Sequence, residues 1–313
     1  MSRALVFPGQ GSQAVGMGKE LAGAFACTRE VFGEIDDALD QNLSRLMFEG
    51  PDDELILTEN AQPAIMAVSM AVMRALSTEG GFELGTWAAF VAGHSLGEYS
   101  ALSAAGCFSL ADTARLLKVR GRAMQEAVPV GEGAMAALMG LELDAVVAIA
   151  AEASSEGACA VANDNAPGQV VVSGAVAAVD KAIDIAKDKG VKRAVPLPVS
   201  APFHCSLMAP AANVMAAALA DVAMTPVTVP VIANVTAAPV TAPPEIRRLL
   251  VEQVTGMVRW RECVLTMRAE GVDTLVEIGA GKVLAGLARR IDKDLETVSL
   301  GTPEAVEEFL KGV

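Results

Sequence analysis

Short apolar runs alternate with amphipathic stretches from Ala4 to Ala127. Ala4-Leu5-Val6-Phe7 and Ala89-Phe90-Val91-Ala92 have the length and continuity of strands, whereas the stretch from Ala111 to Gln125 repeats at helical spacing. There Thr113, Leu116, Leu117, Ala123 and Met124 fall on one face. This alternation predicts an α/β fold with a mostly parallel sheet and helices on both faces. Pro129, Gly131 and Gly133 then interrupt the pattern. The next segment predicts strand Ala134–Met139, helix Glu142–Ser154, strands Cys159–Ala162 and Gln169–Ser173, helix Ala175–Lys189 and strand Val191–Leu197. Its βαββαβ order is the split arrangement of a ferredoxin-like unit. Asn163–Gly168 reads as a turn-rich loop between the middle strands. Pro196 and Pro198 mark the return of the chain. The expected organisation is a core in two parts, 1–128 and 199–313, with an inserted subdomain at 129–198 and the active site between them.

The run ending at Ala92 leads into Gly93-His94-Ser95-Leu96-Gly97, and an Ala-rich helical segment follows. Gly-x-Ser-x-Gly at a strand-to-helix turn is a nucleophile elbow: the glycines let strand and helix approach, and the serine hydroxyl stands exposed. Ser95 is the expected nucleophile. The backbone N–H of Leu96 falls at a helix N-terminus, where unpaired donors and the helix dipole favour a developing negative oxygen. The competing reading is an ordinary Gly- and Ser-containing turn.

A serine needs a base, and the chain holds two histidines, His94 and His204. Neighbours on a strand end point to opposite faces. His94 is therefore expected to project away from the site and reads as a structural histidine. His204, in Pro202-Phe203-His204-Cys205-Ser206, precedes another helical segment and is the candidate base. No Asp or Glu after Ser95 stands out as the third member of a triad. The expectation is a Ser–His dyad, for which a backbone carbonyl could orient the ring.

Arg120 sits in the middle of the apolar face of the Ala111–Gln125 helix, while Arg115, Lys118 and Arg122 fall opposite and read as solvated charges. A guanidinium on an apolar face must find an anion or remain expensively unpaired. That anion is either a protein carboxylate or a substrate carboxylate held bidentately. After the first apolar run, Gly9-Gln10-Gly11-Ser12-Gln13 forms a loop able to aim backbone N–H groups at an anion. It lacks the signatures of a P-loop and of a dinucleotide site. Gln10 is a candidate oxyanion donor, with a plain turn as the alternative.

Composition narrows the class. The length of 313 residues allows one or two domains. No uncharged apolar stretch reaches the roughly 18–20 residues of a membrane span. The four apolar residues before Pro8 make a strand rather than a signal-peptide core. A cytoplasmic enzyme is expected. Five cysteines (Cys27, Cys107, Cys159, Cys205, Cys263) are scattered and lack metal-ligand spacing, which reads as reduced thiols with no metal. The net charge of −14 argues against nucleic-acid binding. Anionic partners would instead need local positive clusters: Arg115/Lys118/Arg122, Lys192/Arg193, Arg259/Arg261 or Lys282/Arg289/Arg290.

These pieces together resemble the malonyl-CoA:acyl-carrier-protein transacylases. The resemblance rests on Phe7-Pro8-Gly9-Gln10-Gly11-Ser12-Gln13, Gly93-His94-Ser95-Leu96-Gly97-Glu98-Tyr99, Arg120-Gly121 and Met124-Gln125-Glu126-Ala127. It continues through Asn165-Ala166-Pro167-Gly168-Gln169, Phe203-His204-Cys205-Ser206-Leu207-Met208, Asn234-Val235 and Val258-Arg259-Trp260. The fold it implies is an α/β-hydrolase-like core carrying the ferredoxin-like insert. By similarity Ser95 carries the malonyl group, His204 is the base and Arg120 pairs with the malonyl carboxylate. Gln10 and Leu96 would form the oxyanion hole, and the backbone carbonyl of Gln253 would hold His204. Phe203 and Asn165 are possible pocket residues. The resemblance implies malonyl-CoA as substrate, carrier-attached phosphopantetheine as acceptor, no bound cofactor, and a monomer serving fatty acid synthesis.

Two departures stand out. Gly279-Ala280-Gly281 replaces the usual Gly-Pro-Gly turn, which bears on local rigidity more than on chemistry. Phe203, before the base, is bulky and fits an unbranched malonyl better than a methyl-branched one. Rival readings are a serine hydrolase or thioesterase, an acyltransferase of polyketide synthesis, and a non-catalytic acyl-binding protein.

Overall fold

Two separate sheets organise the chain, and the computed structural model describes residues 2–191, 193–199 and 201–312. In chain order the strands are β1 (Arg3–Phe7), β2 (Phe90–Gly93), β3 (Gly133–Met139), β4 (Cys159–Ala166), β5 (Gln169–Ala175), β6 (Arg193–Pro196), β7 (Val231–Ile232), β8 (Pro239–Val240), β9 (Thr274–Ile278) and β10 (Glu296–Leu300). The larger sheet has the order β10-β9-β1-β2-β7-β8, parallel except for the β7–β8 pair. The period-2 alternation of β1 sends Leu5 and Phe7 into one core and Ala4 and Val6 into another, so helices cover both faces.

The expected strand–helix alternation fails between β1 and β2. That span is helical, from Lys19–Ala24 through α1 (Thr58–Gly80) to Leu84–Trp87, with no strand among the described residues. α1 is buried around most of its circumference, because its alanines (Ala61, Ala64, Ala67, Ala71, Ala75) let neighbouring helices come close. It packs against α3 (Leu110–Glu126), which follows α2 (Gly97–Ala104) and is capped by Ser109 accepting the Asp112 N–H at 3.0 Å.

The smaller sheet is antiparallel, with the order β4-β5-β3-β6, and is covered by α4 (Leu143–Ala153) and α5 (Val176–Asp188). This is the split βαββαβ topology expected from the sequence. Most boundaries shift by one or two residues, and one differs by more: Asn163–Ala166 extends β4 instead of forming a loop, and the turn shrinks to Pro167-Gly168. Asn163, Asp164 and Ala166 pair with Val171, Val170 and Gln169 through two register irregularities, which is how polar residues enter this strand. β4 also ties the smaller sheet to the segment around Val258 that leads into the next helix. Asp164 N–H donates to Val258 O at 3.0 Å and Val258 N–H to Ala162 O at 2.8 Å. Arg261, on the helix α7 (Trp260–Ala269) that follows α6 (Pro243–Thr255), reaches the buried Asp164 carboxylate at 2.8 Å. No helix is long and apolar enough to cross a membrane.

The β1–β2 register, Phe7 opposite Gly93, makes the loops after both strands leave the sheet side by side. Ligands of parallel α/β sheets bind at these carboxyl ends. Gly93 and Gly97 are what allow the turn after β2. A Cβ on Gly93 would lie 1.9 Å from the Gly97 backbone, and one on Gly97 2.2 Å from Phe7 O. Backbone cannot yield as a side chain can, so Gly93→Ala is expected to cost about 3 kcal/mol or more, whereas Gly85→Ala, which opens into free space, should stay within about 0.5 kcal/mol. Urea midpoints of the two variants check this; equal midpoints would mean that the elbow does not depend on close backbone approach.

Candidate active site

The elbow places Ser95 at φ 54, in the left-handed region, so its side chain leaves the turn clear of strand and helix. Its backbone N–H donates to Asn234 Oδ1 at 2.8 Å, and Asn234 Nδ2 donates to Gly93 O at 2.7 Å. One asparagine thus clamps both sides of the turn. The Ser95 hydroxyl lies 2.8 Å from His204 Nε2. His204 is also left-handed, at φ 59, and 3% exposed. Its Nδ1 faces two carbonyls, Gln253 O at 2.8 Å and Gly256 O at 3.1 Å. Carbonyls only accept, so Nδ1 carries the proton and Nε2 is left to accept from Ser95. Burial pushes His204 down to about 3, with the Arg120 charge acting in the same direction. The imidazole is therefore a neutral acceptor at pH 7.

Arg120 is 1% exposed and lies over the Tyr99 ring, its Cζ 5.6 Å from the ring centroid. Nη1 donates to Gln62 Oε1 at 2.8 Å, and Nη2 to Ser95 Oγ at 3.1 Å and to Gln253 Oε1 at 3.0 Å. Every one of these acceptors is neutral, and Nε has no hydrogen-bond partner among the described residues. Of the two partners left open by the sequence, a direct protein carboxylate is absent among the described residues.

Ser95, His204 and Arg120 open onto one cavity of about 250 Å³, lined also by Gln10, Gln62, His94, Met135, Asn163 and Phe203. It lies between the two sheets, as Met135 and Asn163 belong to the smaller one. Gln10 reaches this cavity from the loop after β1, and its Nε2 donates to Thr58 Oγ1 at 3.4 Å. The backbone N–H groups of Gln10 and Leu96 donate to no protein acceptor among the described residues, unlike that of Ser95. Leu96 stands at the start of α2.

Several expectations change. His94 lines the same cavity as Ser95 rather than turning its back on it, yet it does not contact the serine; its Nε2 meets Asn165 Oδ1 at 2.8 Å and its ring lies beside Trp260. Asn163, not Asn165, faces the cavity, because the irregular register of β4 alternates its polar side chains. Gln253 contributes more than a carbonyl: its side chain bonds Arg120, Ser95 O and Glu98. Sequence reasoning missed Gln62, Glu98 and Gly256. The Gly279-Ala280-Gly281 turn, far from the site in sequence, packs beside Pro8 and Ser12 of the Gln10 loop.

Three of the four positive clusters are compensated or incompletely described. Glu59 ion-pairs with Lys118 at 3.1 Å and Arg122 at 3.3 Å, and Asp112 with Arg115. Arg259 meets Glu262, and Arg261 meets Asp164 and Glu142. Lys192 lies outside the described residues, and Arg193 is exposed on β6. On α8 (Val283–Ile291) and at its cap, Lys282, Arg289 and Arg290 are exposed and bond no carboxylate among the described residues; Arg289 meets Thr297 and Arg290 meets Gln169.

Residues 4–305 match the acyl transferase domain family. The malonyl CoA-acyl carrier protein transacylase of Escherichia coli (strain K12) is 46% identical over 309 residues, covering 98% of each chain. The crystal structure of an acyl-carrier-protein-S-malonyltransferase from Bartonella henselae superposes with a TM-score of 0.98 at 57% identity, over 100% of both chains. A malonyl-transacylase solved in complex with a type II PKS acyl-carrier protein has a TM-score of 0.96 at 40% identity, again over 100% of both chains. With a serine on a left-handed elbow paired to His204, a buried arginine beside it and these likenesses along its whole length, the chain belongs to the malonyl-CoA:acyl-carrier-protein transacylases of the acyl transferase family.

Proposed function

We propose that this chain moves a malonyl group from malonyl-CoA to the phosphopantetheine thiol of acyl carrier protein through an ester on Ser95. The observation that carries this reading is the buried Arg120 guanidinium, 3.1 Å from Ser95 Oγ and bonded only to neutral groups. An ester on Ser95 brings the free malonyl carboxylate to that cation, which a site for neutral acyl groups would not need. Segments 1–128 and 199–313 form the acyltransferase core in this reading, and 129–198 the insert that closes the cavity. In this reading the chain works as a cytoplasmic monomer.

In the first half-reaction Ser95 Oγ attacks the thioester carbonyl while His204 Nε2 takes its proton. The N–H groups of Leu96 and Gln10 receive the tetrahedral oxyanion, and one such donor is typically worth about 100- to 1,000-fold in rate. Collapse breaks the C–S bond, and coenzyme A leaves with the proton from His204. The carrier's thiol then attacks the ester by the same steps in reverse order. Phe203 borders the acyl position and favours an unbranched malonyl. The pathway served is fatty acid synthesis; the likeness to a type II PKS malonyl-transacylase gives polyketide synthesis as a second reading.

Two measurements test this. A charge-assisted bidentate pair contributes roughly 1.5–3 kcal/mol, or about 10- to 150-fold. Arg120→Ala should therefore lose malonyl transfer by that factor or more while acetyl transfer falls less or rises, and Arg120→Lys should recover only part. Equal losses for both acyl groups, with a large fall in melting temperature, would make Arg120 purely structural.

The second concerns the carrier. The α8 cluster adjoins the Gln10 loop, since Gly281 lies beside Ser12. An acidic carrier landing there is held by exposed charges, which act mainly on association rate. Reversing Lys282 and Arg289 to Glu should slow transfer to carrier by about tenfold at low salt, with a smaller effect on loading from malonyl-CoA. Parallel effects on both half-reactions, or none, would remove α8 as the landing surface.

A further inference from the structure

Arg120 holds a positive charge in the interior with only neutral hydrogen-bond acceptors. A buried cation in that situation needs a compensating charge while no substrate is bound. The carboxylate that joins its network is Glu98 on α2, 2% exposed. A single amide separates the two charges. Gln253 Nε2–H donates to Glu98 Oε2 at 2.8 Å, and Gln253 Oε1 accepts from Arg120 Nη2 at 3.0 Å. Glu98 Oε2 also accepts the Asn234 N–H at 3.0 Å. Both bonds end on one oxygen, so a proton on Oε1 breaks neither.

We propose that Glu98 is the counter-charge of Arg120 in the empty enzyme and takes up a proton when a substrate carboxylate occupies Arg120. The inference rests on Arg120 being the malonyl carboxylate site. Once malonyl is bound, two carboxylates share one buried guanidinium, and like charges in such a site disfavour joint ionisation. Glu98 is the one that yields. Burial already pushes its carboxyl up to about 7, against the pull of Asn234, Gln253 and Arg120. The other titratable groups in its field are Tyr99 on α2 and Cys263 on α7, which burial pushes upward, Tyr99 to about 12. His204, pushed down by burial and Arg120, stays neutral as well. Glu98 is thus a positioning residue: through Asn234 and Gln253 it holds the elbow and the arginine, and its charge is exchanged for that of the substrate.

The loading chemistry is itself proton-neutral. The thioester C–S bond breaks, the ester C–O bond forms, and the Ser95 hydroxyl proton passes through His204 to the coenzyme A sulfur, a thiol with an ordinary pKa of about 8.5. Net uptake of protons at pH 7 therefore reports on the protein. The full chain is loaded stoichiometrically with malonyl-CoA or acetyl-CoA in weakly buffered solution with an indicator dye, and ester yield is read by intact mass. The expected result is an uptake of about half a proton per malonyl ester, for an upward displacement of one unit or more, and essentially none per acetyl ester. Per ester formed, Glu98→Gln should abolish the uptake. Full malonyl loading without uptake, equal uptake for both acyl groups, or uptake unchanged in Glu98→Gln overturns the proposal. The first and second outcomes need no variant to fold. The Arg120 reading fails on a separate observation, unchanged acyl selectivity in Arg120→Ala.

Discussion

A guanidinium buried to 1% exposure is the constraint that the rest of the site answers to. Desolvating such an ion costs several kcal/mol unless its donors are satisfied. The chain meets both terminal nitrogens with two glutamine side chains and a serine hydroxyl, lays an aromatic face beneath the ion, and leaves Nε without a partner among the described residues. Neutral acceptors keep the cation in place without cancelling its charge, so it remains available to an anion. The same charge lowers the basicity of His204, which keeps the imidazole unprotonated beside the nucleophile. In the proposed reaction, substrate recognition and activation of the serine therefore share one electrostatic source.

Backbone geometry explains why that source lies where it does. β1 and β2 are parallel neighbours in register, so the Gln10 loop and the Ser95 turn emerge together. Close approach at Gly93 and Gly97 brings α2 onto the end of the sheet, and Gly121 lets α3 pass against the first turn of α1 at Thr58 and Glu59. That contact sets Arg120 beside Gln62. His204 arrives from the other half of the chain, after the smaller sheet, and two carbonyls at the end of α6 fix its tautomer. Asn234 and Gln253, fully buried, tie the two halves together at the point of reaction.

Much of this was legible in the sequence, for identifiable reasons. Ser95 is announced by glycines at fixed spacing, and Arg120 by a cation on an apolar helical face. His204 is announced by being one of only two histidines. The βαββαβ insert was readable because continuous apolar runs alternate with amphipathic stretches between clear turn residues. The helical span between β1 and β2 was not, since an Ala-rich helix buried around most of its circumference has no clear period. Asn163–Ala166 carries turn-forming residues, yet tertiary pairing with β5 and Val258 overrode that preference. Gln62 and Gly256 act through contacts across the fold and leave no local mark. Glu98 did leave one: it is a lone charge immediately before the apolar segment Tyr99–Ala105, and the reasoning applied to Arg120 would have found it.

In the proposed reaction the arginine-flanked serine holds a malonyl ester on its way to the carrier. Brief mixing with malonyl-CoA, acid quench and peptide mapping test it directly. The account predicts an ester on Ser95 that persists until a phosphopantetheine thiol is added and then disappears as malonyl appears on the carrier. An adduct on another residue, an adduct that survives in Ser95→Ala, or free malonate released as fast as coenzyme A would contradict it.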